Sequence, residues 1–405
     1  MPAATTTSPD LGPDELRERM VATLVAQGTA HTREVVAALR AVPRHVVEGV
    51  EAARVYDPFR AAVTKTGGDG VNLSSVSAAG VQTLQLEQAQ IRPGQRVLEV
   101  GSGGVNAAYL AELVGPGGLV VTMDIDPDVT DRARAFLDAA GYPHVVVATG
   151  DAAVGVEQHA PFDVVLVTVE ATDVPEAWWR QLAPAGRIVA PVRWRGQSRS
   201  VALVRTAEDL LVGDEPAQCG FVPMQGAGED RQDLFLLHDE PGRRVALRAE
   251  PGTGLAEPDL REVFASERCE VWTGVVLGHG QSYDGLDLWL ATVLGTQVMT
   301  ADPGARAAGL APSSSPIGWP ALAEERGLAY RTLRATDDPQ RWELGVTGHG
   351  PTGAALAERY AAAVRAWDPT SRPRMSVSRH TSHDFPGSVA ASVRRRHCTV
   401  TISWS

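Results

Sequence analysis

The chain contains few cysteines and no long apolar runs. Cys219, Cys269 and Cys398 are far apart and show no Cys-x-x-Cys spacing, which argues against both a disulfide scaffold and a zinc site. No stretch approaches the roughly 18 apolar residues of a membrane-spanning helix, and the first ten residues lack the apolar segment of a signal peptide. We therefore expect a protein of the reducing cytoplasm with no membrane anchor.

Positive charge is also scarce. The 405 residues carry 37 basic and 49 acidic side chains, a formal net charge of −12. This balance argues against a nucleic-acid partner, because phosphate binding needs a basic surface. Lys65 is the only lysine, a bias typical of a GC-rich genome. Residues 371–405 are the exception, with a net charge of +5 from Asp384 and six arginines: Arg372, Arg374, Arg379, Arg394, Arg395 and Arg396.

The histidines give little support for a metal site. His380 and His383 stand near Asp384 in a stretch rich in Ser, Pro and Gly, without the spacing typical of zinc ligands. We expect a solvated loop there and no metal centre in the chain.

Length and texture together predict two domains. Residues 1–12 are expected to be a disordered tail, and residues 13–230 the first domain. Strands and helices alternate between residues 96 and 191, which predicts an α/β fold with a parallel, doubly wound sheet. Residues 235–405 are expected to form a second, smaller α/β domain of unknown type. Within it, segments 272–280 and 342–350 share an outline of strand, Gly-His-Gly turn and helix, a weak sign of duplication.

A glycine turn and two acidic residues predict a nucleoside-type cofactor at the carboxyl end of the sheet. The turn at 101–104 lets the backbone approach a ligand, Asp124 can bind a ribose diol, and Asp151 can accept a hydrogen bond from an adenine amine. The glycine pattern departs from G-x-G-x-x-G, so S-adenosylmethionine fits better than NAD; an incidental tight turn is the remaining alternative. The candidate cofactor-binding residues are Glu99, Gly101, Ser102, Gly103, Gly104, Asn106, Asp124, Ile125, Gly150, Asp151 and Ala152.

Residues from about 16 to 205 resemble the protein-L-isoaspartate O-methyltransferase family. The resemblance is carried by Ala41-Val-Pro-Arg44, Val97–Gly104, Gly150-Asp151, Ala160-Pro-Phe-Asp163, Val174-Pro175 and Gln181-Leu-Ala-Pro-Ala-Gly-Arg187-Ile-Val-Ala-Pro191. It implies a class I, Rossmann-like methyltransferase domain that uses S-adenosyl-L-methionine and releases S-adenosyl-L-homocysteine. It also implies a carboxylate as the methyl acceptor.

The resemblance further implies an active-site serine in the loop before the first sheet strand. Ser74 is the best match and Ser75 the second candidate catalytic residue. The sequence departs from the family here, because no proline follows these serines and a glycine-rich insertion follows Asp57-Pro-Phe-Arg60. Since this loop faces the substrate, the departure leaves the substrate in doubt.

The loop and the extra domain resemble an actinobacterial subgroup that acts on ribosomally made peptides (lanthipeptides, lasso peptides, graspetides). That resemblance implies methylation of a peptide aspartate, which then forms an aspartimide or isoaspartate. Residues 235–405 would recognise the peptide, with arginines and aromatic residues such as Trp404 and Phe385 binding its carboxylates. The alternative is repair of L-isoaspartyl residues in damaged proteins. A non-catalytic binding protein is disfavoured by the intact cofactor motifs, and an RNA methyltransferase by the net charge. The sequence predicts no oligomeric state.

Overall fold

The computed structural model describes residues 11–68, 72–312, 315–324, 326–379 and 389–405. The chain forms two compact units. The first contains residues up to 191, together with 201–208 and 221–229; the second contains 192–200, 209–220 and 230–405. His380, His383, Asp384 and Phe385 lie outside the described residues.

The first unit begins with helices and a two-stranded hairpin. Its opening elements are α1 (Pro13–Ala26), α2 (Arg33–Ala41), α3 (Ala52–Val55), β1 (Ala62–Thr66), β2 (Asn72–Val76) and α4 (Ala79–Ala89). β1 and β2 pair antiparallel, with Ala62 opposite Val76 and Lys65 opposite Ser74. We had predicted a loop in this region, so the hairpin is a correction. Its strands are short and their partners are separated by a glycine-rich segment, which hides the pairing from a periodicity analysis.

Strands and helices then alternate as predicted. The elements are β3 (Arg96–Val100), α5 (Val105–Val114), β4 (Leu119–Asp124), α6 (Pro127–Ala140), β5 (Val146–Thr149), β6 (Phe162–Val167), α7 (Glu176–Gln181), β7 (Leu182–Trp194) and β8 (Gln197–Ala207).

These strands form a parallel, doubly wound sheet, so the predicted fold is confirmed. The order is β7-β6-β3-β4-β5, and β3 pairs in parallel with both β4 and β6. The chain runs from β3 to β4 and β5 on one side of β3, and then crosses to β6 and β7 on the other side. The strand order therefore reverses at β3, and open α/β sheets bind ligands at the carboxyl ends of the strands at such a point. Val97, Leu98 and Val100 of β3 are buried, which fixes this end of the sheet inside helices on both faces.

The second unit is built mainly from antiparallel strands. Its elements are β9 (Leu210–Asp214), β10 (Ala217–Gln218), β11 (Asp233–His238), β12 (Val245–Ala249), α8 (Glu257–Ala265), β13 (Arg268–Gly278), α9 (Asp284–Leu294), β14 (Gln297–Ala301), α10 (Pro303–Ala307), β15 (Ser315–Glu324), β16 (Gly327–Ala335), β17 (Arg341–His349), α11 (Gly353–Arg365), β18 (Pro373–Ser378), β19 (Val389–Arg394) and β20 (Thr399–Trp404). Seven of these strands form one sheet in the order β11-β12-β14-β15-β16-β17-β13. In addition, β18 pairs with β9 and β20, and β20 pairs with β19.

The repeated outline seen in the sequence corresponds to two neighbouring strand-turn-helix segments. β13 and β17 pair antiparallel, and each leads through a Gly-His-Gly turn into a helix, α9 or α11. Leu286, Leu290, Leu356 and Tyr360 of the two helices are buried in one apolar cluster with Leu344 of β17. The shared sequence outline therefore corresponds to a shared strand-turn-helix structure, and its two helices contribute to one apolar core of this unit.

Residues 192–200 and 209–220 group with the second unit, although we expected them within the first domain. β9 pairs with β18 over Leu210 to Asp214. Arg199 is almost fully buried and forms an ion pair with Asp284 of α9. A buried guanidinium requires a charged partner, and Arg199 finds one in Asp284. This ion pair holds residues 192–200 within the second unit.

Three arginines of the basic C-terminal segment are paired with acidic residues of the same unit. Arg372, Arg374 and Arg395 form ion pairs with Glu215, Asp214 and Glu250, at 3.4, 2.7 and 2.8 Å. Trp404 is buried, and its Nε1 donates to Thr292 Oγ1 at 3.2 Å. Burial of Trp404 differs from the expectation that its side chain binds carboxylates of a peptide, whereas Arg372 and Arg374 stay more than half exposed within their ion pairs and peptide binding by this segment stays a prediction. Arg394 and Arg396 are exposed.

Among the described residues, no helix combines the length and apolar character needed to cross a bilayer.

Candidate cofactor and substrate site

Two glycines shape the turn that follows β3. Gly101 has φ +94°, and a Cβ there would lie 2.5 Å from Thr168 Oγ1. Gly104 has φ +79°, and a Cβ there would lie 2.9 Å from Phe136 Cδ1. Both positions therefore require glycine, for conformation and for space. The turn brings the N-terminus of α5 directly behind the carboxyl end of β3.

The open side of the turn has the properties of a ligand cradle. A Cβ on Gly103 would have only Ser75 O within 4 Å, at 3.8 Å, and one on Gly150 only Met123 Cε, at 4.0 Å. Ser102 Oγ is buried and has no hydrogen-bond partner among the residues that the structure describes. An unsatisfied buried hydroxyl beside open space is what a polar ligand would satisfy.

Asp124 ends β4 and faces this turn. Its Oδ2 accepts the Ser102 N–H at 3.1 Å, and its Oδ1 accepts the Asp126 N–H at 3.0 Å. Burial raises the pKa of Asp124, although both N–H bonds act in the opposite direction. Each carboxylate oxygen retains a lone pair, so the group can also accept the two hydroxyls of a ribose. Ile125 next to it is exposed and provides an apolar surface.

Asp151 lies after β5 and is covered by a segment that sequence analysis missed. Its Oδ1 accepts the Ala153 N–H at 2.8 Å, and its Oδ2 accepts the Ala227 N–H at 2.9 Å. A Cβ on Gly226 would lie 2.6 Å from Asp151 Oδ2 and 2.7 Å from Ile125 Cδ1. In the sequence, Gly226 and Gly228 were the residues that could have indicated a backbone segment lying close to another part of the chain. Ala152, also a candidate, uses its carbonyl to accept from Trp178 Nε1 at 2.8 Å.

Glu99 and Asn106 are buried next to the turn. Glu99 is 0% exposed; it accepts from Asn106 Nδ2 at 2.8 Å and from Thr122 Oγ1 at 2.5 Å. Burial raises the pKa of Glu99 to about 7, against the opposing effect of these two hydrogen bonds. The pair ties β3 to β4 and to the first turn of α5. It therefore supports the cradle, and direct contact of Glu99 and Asn106 with the cofactor stays a prediction.

The hairpin brings the backbone of Ser75 to the cradle and carries Ser74 next to it. Ser74 and Ser75 lie on β2, half-buried, and the Ser75 carbonyl oxygen is the atom closest to the open side of Gly103. Ser74 Oγ accepts from Thr64 Oγ1 of β1 at 3.1 Å, which leaves the Ser74 proton available to another acceptor.

Both ends of the serine segment are fixed by basic side chains that the sequence analysis did not assign to the site. Arg44, in the Ala41-Val-Pro-Arg44 motif, is buried and donates to Ser77 O at 2.8 Å and Val55 O at 2.5 Å. On β1, Lys65 Nζ donates to Asp126 Oδ2 and, at 3.1 Å, to Asp128 Oδ2. The motif around Arg44 could have indicated its role at this site from the sequence. Nothing in the sequence around Lys65 indicated its contact with α6.

These residues fit S-adenosylmethionine. Asp124 would hold the ribose and Asp151 the adenine amine, while the glycine turn would accept the amino-acid part of the cofactor. The buried Ser102 hydroxyl is an additional donor at the same place.

Comparison with known proteins gives a consistent result. The model of the family "Protein-L-isoaspartate(D-aspartate) O-methyltransferase (PCMT)" matches residues 15–229. Protein-L-isoaspartate O-methyltransferase 2 of Archaeoglobus fulgidus is 39% identical over 183 residues, which is 44% of this chain and 79% of that protein. The Methanopyrus kandleri enzyme is 37% identical over 215 residues, 52% of this chain and 91% of its own.

Among solved structures, a protein described as a putative protein-L-isoaspartate O-methyltransferase from Plasmodium falciparum, in complex with S-adenosyl-L-homocysteine, matches at 16% identity and a TM-score of 0.45. The match covers 52% of this chain and 98% of that one. The family match spans more than half of the chain and includes the glycine turn, Asp124, Asp151 and both serines. The chain therefore belongs to the protein-L-isoaspartate O-methyltransferase family, S-adenosylmethionine-dependent enzymes that methylate isoaspartyl carboxyl groups.

Proposed function

We propose that this enzyme methylates the α-carboxylate of L-isoaspartyl residues in proteins and peptides. The observation that carries the proposal is the position of the Ser75 carbonyl oxygen, 3.8 Å from where a Cβ on Gly103 would lie, on the strand that also carries Ser74 and within the segment that matches the family. The relatives named above support this substrate, the alternative in the sequence analysis, over a ribosomally made peptide.

The chemistry requires positioning and no general base. A carboxylate of this type is ionised at neutral pH and is already a nucleophile. When bound, S-adenosylmethionine supplies a methyl group on a positively charged sulfur. The Ser74 hydroxyl, oriented by Thr64, can donate to one carboxylate oxygen and leave the other directed at the methyl group. Productive alignment of this kind is the main source of rate in a displacement between two bound reactants.

The methyl ester then favours ring closure. The backbone nitrogen of the following residue attacks the esterified carbonyl; a C–N bond forms, the C–O bond breaks, and methanol leaves with the amide proton. Water reopens the resulting five-membered imide to aspartate or isoaspartate. Neither step needs a side chain of the enzyme.

A second candidate substrate is an unmodified aspartate in a ribosomally made peptide. Two features favour it: the hairpin carries Asn72-Leu-Ser-Ser-Val without a following proline, and residues beyond 229 lie outside the family match. In this candidate the second unit recognises the peptide, and Arg394 and Arg396 are two exposed cationic side chains of its C-terminal segment.

Two peptides that differ only in one residue, L-isoaspartate or L-aspartate, separate these functions. We expect transfer of labelled methyl from S-adenosylmethionine to the isoaspartyl peptide and none to its partner. Methylation of the aspartyl peptide alone would favour the second candidate, and methylation of neither would refute the proposal. A protein with Asp124→Ala is the control for cofactor-dependent labelling.

Recognition by the second unit is tested with Arg394→Gln combined with Arg396→Gln. If the unit recognises an acidic peptide, this variant loses activity on it, and the loss varies with salt concentration because exposed charges are screened. The matched control is Arg372→Gln with Arg374→Gln, two arginines already paired with acids. Truncation near residue 230 is unsuitable, because it would remove β18 from β9 and Asp284 from Arg199.

A further inference from the structure

The hairpin that carries the serines is partly exposed over its described residues, 62–66 and 72–76. Ala62 and Val76 at its open end are buried, but Val63 is 40% exposed. Two-stranded hairpins are marginally stable by themselves. The position of Ser74 and Ser75 relative to the glycine turn therefore depends on contacts from the hairpin to the rest of the unit.

Lys65 makes such a contact. It lies on β1 opposite Ser74, and its ammonium bonds both Asp126 and Asp128 at the start of α6. Lys65 is the only lysine of the chain, and all its other permanently cationic side chains are arginines. The three donors of a lysine ammonium can serve two carboxylates at once.

Asp126 connects this contact to the cofactor side of the site. Its Oδ1 accepts the Asp128 N–H and caps α6, while its Oδ2 accepts from Lys65. Its own N–H donates to Asp124 Oδ1 at 3.0 Å. A chain of hydrogen bonds from Lys65 to Asp126 and from Asp126 to Asp124 thus joins the serine hairpin to the carboxylate assigned to the ribose.

We propose that Lys65 is a positioning residue for methyl transfer: it fixes the serine hairpin to the loop that presents Asp124. This inference rests on the proposed function, because it assumes that the serines orient the acceptor carboxylate. The hydrogen bonds to Asp126 and Asp128 raise the pKa of Lys65, and the bond from Lys65 lowers the pKa of Asp126. Both partners are therefore charged throughout the neutral range.

The first arm of the test is kinetic. Lys65→Met keeps the length of the side chain and removes its charge; Lys65→Arg restores the charge. With the isoaspartyl peptide we expect Lys65→Met to lower kcat on the order of ten-fold, since small misplacements of reacting groups are costly. The Kd of S-adenosylmethionine, measured by calorimetry, should change far less, and Lys65→Arg should recover most of kcat. Arg134→Met is the matched control, because it removes a different ion pair from α6, with Asp131.

The second arm does not depend on activity. Amide hydrogen exchange of β1 and β2 should accelerate in Lys65→Met and remain unchanged in Arg134→Met. Unchanged kcat in Lys65→Met, equal loss in Arg134→Met, or unchanged exchange in the hairpin would each overturn the inference. If the wild-type protein methylates no peptide, the proposed function fails, and hydrogen exchange still decides whether Lys65 fixes the hairpin.

Discussion

Glu99→Gln should stabilise the protein in a pH-dependent manner. The Glu99 carboxyl is fully buried, and burial raises its pKa from 4.5 to about 7. In the unfolded chain the same group titrates at its ordinary value. The folded state therefore binds more protons than the unfolded state between these two pH values, and stability falls as pH rises through that range.

The magnitude follows from the two pKa values. At about 1.4 kcal/mol per pKa unit, the ionised Glu99 costs the folded state about 3 kcal/mol above pH 7 and almost nothing below pH 4.5. A glutamine has no such cost, and it can keep both hydrogen bonds: its Oε1 accepts from Asn106, and its Nε2 donates to the Thr122 hydroxyl, which both donates and accepts.

The assay is urea denaturation of wild type and Glu99→Gln at about pH 5 and about pH 8, with the difference in unfolding free energy taken at each pH. We expect the variant to gain about 2 to 3 kcal/mol relative to wild type between these conditions. Groups common to both proteins cancel in this comparison. Glu34→Gln, at an exposed position of α2, should show no comparable gain. A difference that is independent of pH would refute the argument that Glu99 is buried and titrates near neutrality.

Three further outcomes are expected. Asp124→Ala should weaken S-adenosylmethionine binding by about 1.5–3 kcal/mol in calorimetry, because charge-assisted hydrogen bonds to the ribose are lost; unchanged affinity in a folded variant would exclude the assignment. Ser74→Ala combined with Ser75→Ala should reduce methyl transfer much more than cofactor affinity, and equal losses in both measurements would mean that these serines do not orient the acceptor. Asp284→Asn should lower the unfolding free energy by about 1.5–3 kcal/mol, since it removes a charge-assisted hydrogen bond to the buried Arg199 guanidinium, which keeps the nearby charge of Asp287; a loss below about 1 kcal/mol in denaturant titration would contradict this contribution of Asp284.

The alternating part of the fold could be predicted from the sequence because its signals are local. The strand Leu119–Asp124 and the helix Pro127–Ala140 lie within the stretch from 96 to 191 for which alternation was predicted, and the glycine turn indicated where a ligand would approach. Apolar periodicity, capping residues and glycines act over a few residues, so one pass along the chain detects them.

The contacts that complete the site are not local. Lys65 and Asp126 are 61 residues apart, and Ala227 and Asp151 are 76 residues apart. Neither pair leaves a periodic trace in the sequence. The same reason explains the missed hairpin and the arginines of the C-terminal segment, whose partners Asp214 and Glu215 precede them by more than 150 residues. The composition of this segment showed the positive charge of its arginines, but it could not show that Arg372 and Arg374 pair with acidic residues elsewhere in the chain.

The division of the chain between the two units has a consequence for synthesis. The polypeptide crosses from one unit to the other five times, after residues 191, 200, 208, 220 and 229. The segment that covers Asp151 belongs to the stretch between the last two crossings. A ribosome must therefore have translated parts of both units before the adenine side of the cofactor site is complete. We expect nascent chains that end before residue 226 to lack this side of the site, even though every strand of the parallel sheet has by then been made.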